Sequence, residues 1–98
     1  MTYAQQAAVD VSAAGDNIVI PGVAGKRTRV HGLDLFLAGA ATVQLKSAAT
    51  LLTGVMTMTA WAKPLSDVTY FSGGPGEDLI ITLGAAVRCA GVIWYRQD

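Results

Sequence analysis

Lys26-Arg27-Thr28-Arg29-Val30-His31-Gly32-Leu33-Asp34-Leu35-Phe36-Leu37 is the stretch on which the fold turns. It alternates with a period of two, the spacing that sends successive side chains to opposite faces of a β-strand. Up to Val30 the inward parity is Thr28 and Val30, with Arg27, Arg29 and His31 opposite. Beyond Gly32 the apolar parity flips to Leu33, Leu35 and Leu37. A one-residue slip would turn that apolar set to solvent. An extra residue in a β-bulge repairs the slip, and glycine inside a strand often marks one. The expectation is a strand over 26–37 with a bulge at Gly32.

Outward from this stretch the same period recurs. Asp16 to Pro21 is short and β-branched, between Gly15-Asp16 and Pro21-Gly22, and reads as a strand. In 41–47, Val43 and Leu45 alternate with Thr42, Gln44 and Lys46. Ala41, Leu45, Ala48 and Leu52 also fit a helical face. The strand is favoured because Gly39 precedes it and Ser47-Ala48-Ala49-Thr50 reads as a turn. Val55 to Ala60 alternates methionine with threonine until Lys63-Pro64 breaks the pattern. Val68 to Phe71 is a short strand, and Ser72-Gly73-Gly74-Pro75-Gly76 is the strongest turn signal. Asp78 to Leu83 and Val87 to Arg96 form a last pair around Gly84-Ala85-Ala86. Seven to eight short strands at spacings of about ten residues indicate an all-β chain. The expected form is a small antiparallel β-sandwich, jelly-roll-like, as one domain over 1–98. Met1 to Ala8 is polar and Ala-rich, and is read as an N-terminal arm that orders only against a neighbour.

Composition narrows the function. The 98 residues carry 7 positive and 7 negative side chains, so no basic surplus attracts nucleic acid or an anionic membrane. Charged residues are 14%, against about 25% in an average soluble domain. Hydrophobic residues are 52%, and 16 positions are alanine. This balance suits a protein that hides surface in an assembly. No apolar run approaches the roughly 18 residues needed to span a bilayer. The start, Met1-Thr2-Tyr3-Ala4-Gln5-Gln6, lacks the layout of a signal peptide, so cytoplasmic synthesis is expected.

The chemical motifs are weak. A single cysteine, Cys89, excludes an intrachain disulfide and a multi-cysteine zinc site, and reads as core. The single histidine, His31, excludes paired-histidine chemistry and reads as a surface or interface residue rather than a general base. Gly73-Gly74-Pro75-Gly76-Glu77 is a hairpin loop, not a phosphate loop: Pro75 removes a donor and Glu77-Asp78 repel an anion. Those two carboxylates are adjacent, so in a strand they diverge and form no glycosidase pair. No catalytic, cofactor or metal residue is expected, and the chain reads as a non-enzyme.

The aromatic and arginine residues carry more information. The last strand puts Cys89, Gly91, Ile93 and Tyr95 on one face and Ala90, Val92 and Trp94 on the other. A strand apolar on both faces is covered on both. Cys89, Ile93 and Tyr95 are assigned to the core, and Val92 and Trp94 to a partner, with cover by a loop of the same chain as the alternative. Arg27 and Arg29 share a face: arginine is enriched at interfaces, while a solvated face that protects a strand edge is the alternative. The candidate interface residues are Tyr3, Arg27, Arg29, Trp61, Tyr70, Val92 and Trp94.

Several segments resemble a known group. Ala13-Ala14-Gly15-Asp16-Asn17-Ile18-Val19 and Gly25-Lys26-Arg27-Thr28-Arg29-Val30-His31-Gly32 look like small virion structural proteins of tailed bacteriophages and prophages. Val43 to Ser47, Leu52 to Met56, Gly76 to Leu79 and Gly91 to Tyr95 follow in the same order. The resemblance spans 13–95 and rests on turn residues and strand cores, while His31 and Trp61 depart from it. It implies a small β-sandwich, often jelly-roll-like, at the capsid surface after synthesis in the host cytoplasm. The implied role is capsid decoration, or cementing, of the major capsid protein shell by a homotrimer. A tail or fibre module that binds host-surface glycans through Trp61 and Tyr70 is the alternative. No cofactor, nucleic acid or membrane partner is expected.

Overall fold

The computed structural model describes residues 4–98. Eight strands and no helix form its regular structure: β1 (Gln5–Val11), β2 (Gly15–Ile20), β3 (Thr28–Ser47), β4 (Thr50–Leu51), β5 (Met56–Lys63), β6 (Phe71–Ser72), β7 (Leu79–Leu83) and β8 (Cys89–Gln97). All belong to one antiparallel sheet, curled into a half-barrel.

β3 is the spine, 20 residues long. One of its edges pairs with β8 along Thr28 to Leu37 and then with β7 along Val43 to Ser47. The other edge pairs with β6, β5 and β4 in turn. β1 extends the sheet beyond β8, and β2 extends it beyond β7. Two limbs result. The first holds β1, β8, β6, the start of β3 and the end of β5. The second holds β2, β7, β4, the end of β3 and the start of β5. Interruptions line up between the limbs: 12–14, 84–88, and a register shift between Phe36 and Ala41 in the β3–β5 pairing. Bonds from the Gly84 N–H to the Thr42 carbonyl and from the Ala38 N–H to the Arg88 carbonyl, both 2.9 Å, bracket the 84–88 detour. β7 and β8 are thus one long run beside β3 with an excursion in the middle.

Both limbs turn their concave faces to one core. Val30, Leu33, Leu35, Val43 and Leu45 of β3 meet Leu79, Ile81, Leu83, Cys89 and Ile93, all at 1% exposure or less. Burying each large aliphatic side chain contributes about 1.5–3 kcal/mol. Tyr95 packs against this cluster, so Cys89, Ile93 and Tyr95 lie on the core face of β8 as their parity required. Gly91 shares that face, and a Cβ there would land on the Asp34 carbonyl oxygen, so only glycine lets β8 approach β3 so closely.

The bulge is present. Val30 pairs with Tyr95 and Gly32 with Trp94, leaving His31 as the extra residue. The cause is the parity flip itself: the extra residue lets Val30 and Leu33 share one face. A Cβ at Gly32 would come within 2.9 Å of the Leu65 Cα and 3.0 Å of Trp94 Cε3.

Other expectations change. The strands expected at 26–37 and 41–47 are one strand, which runs through Gly39 across the gap in its pairing with β5 between Phe36 and Ala41. The Ala40–Leu52 ambiguity resolves as strand, a turn with Ala48 at φ 48°, and the short β4. Trp61 lies within β5, beyond the alternating stretch expected over Val55 to Ala60. The short strand placed at 68–71 contracts to Phe71–Ser72. Gln5 to Ala8, read as part of an arm, are strand residues paired with Tyr95 to Val92 of the same chain. The rest of that arm, at 1–3, lies outside the described residues. His31 is 2% exposed, a correction to its surface reading.

Candidate functional site

The convex side of the first limb follows from register, since directly opposed residues of an antiparallel pair share a face. One cross-strand row runs Ala8, Val92, Asp34, Ala62, and the next runs Asp10, Ala90, Phe36, Ala60. Trp94 follows Val92 on the same side, opposite Gln6 and Gly32. The surface is therefore a field of small side chains with Phe36 standing out of it, 60% exposed.

The segment 64–70 borders this field and is fastened at the bulge. The Ser66 N–H donates to the His31 carbonyl at 2.9 Å, and the Tyr70 N–H to the Val30 carbonyl at 2.8 Å. The His31 ring closes the contact, with Nδ1 3.0 Å from the Ser66 carbonyl oxygen and Nε2 3.4 Å from the Thr69 hydroxyl. A proton on Nδ1 donates to Ser66, and Nε2 then accepts from Thr69. His31 is a fastener for this segment, with both ring nitrogens engaged. Between the segment and the sheet lies a shallow groove of about 250 Å³, lined by Leu33, Asp34, Ala62, Lys63, Pro64, Leu65 and Trp94. Leu65 stands at its rim, 55% exposed.

Charges frame the field. At one end Arg88 Nε and Nη2 donate to the Asp10 carboxylate at 3.0 and 3.1 Å, which raises the guanidinium pKa. At the other end Arg29 Nε donates to Asp98 at 2.6 Å. That bond, ahead of the nearby positive charges, holds the Asp98 carboxyl below its ordinary value. Arg96 pairs in register with Arg29. Asp34 sits within the field and forms no salt bridge among the described residues.

The sequence candidates divide. Val92, Trp94 and Arg29 come together on this convex side. Arg27 lies apart, its Nη1 donating to the Gly73 carbonyl at 3.3 Å. Trp61 faces the core, its ring edge-on to Phe71 at 5.8 Å. Tyr70 lies in the fastened segment: its hydroxyl donates to the Pro64 carbonyl at 2.9 Å, and Lys63 Nζ sits 5.0 Å from its ring centroid. Tyr3 falls outside the described residues. Phe36, Asp34, Leu65 and the alanines were missed. Phe36 had a signal, because it is the even residue among the core leucines 33, 35 and 37. Leu65 had none, because its place depends on a long-range contact with the bulge.

Burial pushes the Cys89 thiol pKa up, away from a reactive thiolate. Among the described residues no three His, Cys, Asp or Glu side chains gather to hold a metal ion. At the glycine-rich hairpin the Gly74 N–H donates to Glu77 Oε1 at 3.1 Å and to Ser47 Oγ at 2.9 Å, so its own side chains fill the place of an anion. No family model matches the chain, and neither a curated protein nor a solved structure does.

Proposed function

We propose that the chain is a bacteriophage capsid decoration protein that caps the major capsid protein shell with the convex side of its first limb. The observation that carries this is the open field around Phe36: small apolar side chains on a regular sheet, with one large aromatic ring left in water. Apolar sheet faces are ordinarily covered, and aromatic anchors dominate binding energy where one protein covers another. Alanine-rich rows also leave a low surface that a broad partner approaches closely. A stable interface of about 1,600 Å² in total is within reach of such a face.

The homotrimer belongs to the same proposal. Among the described residues the sheet has two unpaired edges, β1 and β2 on one side and β4, β5 and β6 on the other, with different sequences. Pairing unlike edges is head-to-tail, and where the rotation closes such contacts form a ring such as a trimer. The reading also includes the finer fold class: a jelly-roll-like sandwich in which the two limbs serve as the layers. It places the protein at the virion surface after synthesis in the host cytoplasm.

Co-sedimentation with expanded shells tests the proposal. Wild-type protein is expected to saturate at a fixed ratio to the major capsid protein and to run as a trimer by light scattering. Absence of saturable binding overturns it. One observation favours the tail or fibre alternative: Trp94 lines a groove beside Asp34 and Lys63, an aromatic platform with polar groups at hand for a sugar. A glycan array separates the readings, since a decoration protein binds no immobilised sugar.

A further inference from the structure

We propose that the partner covering this convex side presents a carboxylate side chain to Arg96, so that the docking surface selects an apolar patch flanked by Asp or Glu. This deepens the decoration reading and rests on it for the partner's identity, though not for the chemistry. Arg29 and Arg96 oppose each other directly across β3 and β8. Like charges in that position repel. Arg29 is compensated by Asp98 at 2.6 Å. Arg96 shares only the field of that same carboxylate: among the described residues it makes no salt bridge, and its Nε is buried without a hydrogen-bond partner. A guanidinium left so is costly; its Nε is closed to a partner, but the two Nη groups are not buried and present an end-on fork that a planar two-oxygen acceptor fits.

Position gives the rest. Along β8 the convex side reads Ala90, Val92, Trp94, Arg96, so the apolar field runs straight into a charge that has no salt bridge among the described residues. Apolar centres bounded by charged rims are the usual anatomy of a protein interface. A carboxylate is favoured over a phosphate by what already stands there. Asp98 occupies Arg29 and would repel a dianion beside it, whereas a single negative charge on Arg96 completes an arrangement of two cations and two anions.

Two measurements test this, using the full chain. First, the Nε–Hε signal of Arg96 is followed by NMR while N-acetyl-aspartate amide, inorganic phosphate or chloride is added at equal ionic strength. A saturable shift with the aspartate compound alone, lost in Arg96→Gln, is expected. No shift beyond chloride, or an equal response to phosphate, overturns the proposal. Second, Arg96→Gln and Arg96→Lys are compared with wild type on expanded shells. Arg96→Gln is expected to melt no lower than wild type, because a like-charge contact is gone. It is also expected to bind shells at least tenfold more weakly, with Arg96→Lys in between. If wild type binds shells and Arg96→Gln binds equally well, this inference fails and decoration stands. If wild type ignores shells while the NMR response holds, decoration fails and the carboxylate site stands.

Discussion

The convex sides of the two limbs carry comparable ladders but treat their surfaces differently. On the second limb the rows run Asp16, Thr82, Gln44 and Ile18, Ile80, Lys46, Leu51. The Thr82 hydroxyl donates to Asp16 at 2.6 Å and Lys46 Nζ donates to the same oxygen at 3.1 Å. Together they hold the Asp16 carboxyl below its ordinary value, the Thr82 bond foremost. Ile80 is 9% exposed on that side, between Ile18 and Lys46, whose stem is long enough to shield apolar neighbours. Ile18 and Leu51 stay 58% and 59% exposed there, but the second limb meets its outer charges with its own side chains. The first limb does not: alanines, Phe36, Val92 and Trp94 face outward beside an unbridged Asp34 and Arg96. The same sheet therefore has one surface finished in its charge pairing and one on which Asp34 and Arg96 form no salt bridge among the described residues.

The comparison is sharpest within β3, where adjacent residues belong to opposite sides. Leu35→Ala opens the core and is expected to cost about 2–5 kcal/mol by chemical denaturation. Loss of less than 1 kcal/mol would mean that the limbs do not share one core. Gly32→Val drives a side chain into the Leu65 backbone and the Trp94 ring, and is expected to cost about 1–3 kcal/mol. It should also loosen 64–70, seen as faster hydrogen exchange at Ser66 and Tyr70. Unchanged stability and exchange would place the bulge elsewhere. Phe36→Asp, one residue from Leu35, is expected to leave stability within about 0.5 kcal/mol while removing partner binding.

The smallest effect belongs to the finished surface. The folded pKa of Asp16 is lowered, so its contribution is present above the unfolded value, about 3.9, and is lost as pH falls through the folded one. Wild type is expected to lose slightly more stability than Asp16→Asn as pH drops below about 4, and less so in high salt. Thermal melts at pH 7 and pH 3 check this. An equal loss in both proteins would remove the network from the account of the second limb.

Much of the fold was legible because strands obey a strict period. The flip at Gly32 located the bulge, and the parity of Cys89, Ile93 and Tyr95 located the core face of β8. The unity of β3 was also written there: Leu33, Leu35, Leu37, Gly39, Ala41, Val43 and Leu45 keep one parity, and Gly39 drew attention only as a breaker. Trp61 was harder. Thr59 and Ala60 are both exposed, so β5 slips by one residue between Met58 and Trp61, and neither a threonine nor an alanine announces a slip. The site was less legible than the fold. The fastening of 64–70 onto His31 joins residues 35 and 38 positions apart, and the Arg29–Arg96 opposition exists only once register is fixed.

The most direct test of the unfinished surface uses a matched pair. Phe36 on the first limb is 60% exposed and Ile18 on the second is 58% exposed, so aspartate at either is sterically free. Occupancy of expanded shells is measured for wild type, Phe36→Asp and Ile18→Asp, with folding verified by thermal melts. Phe36→Asp is expected to lose at least nine-tenths of its occupancy, and Ile18→Asp to match wild type. Equal occupancy for the two variants, or loss confined to Ile18→Asp, would contradict the assignment of docking to the first limb.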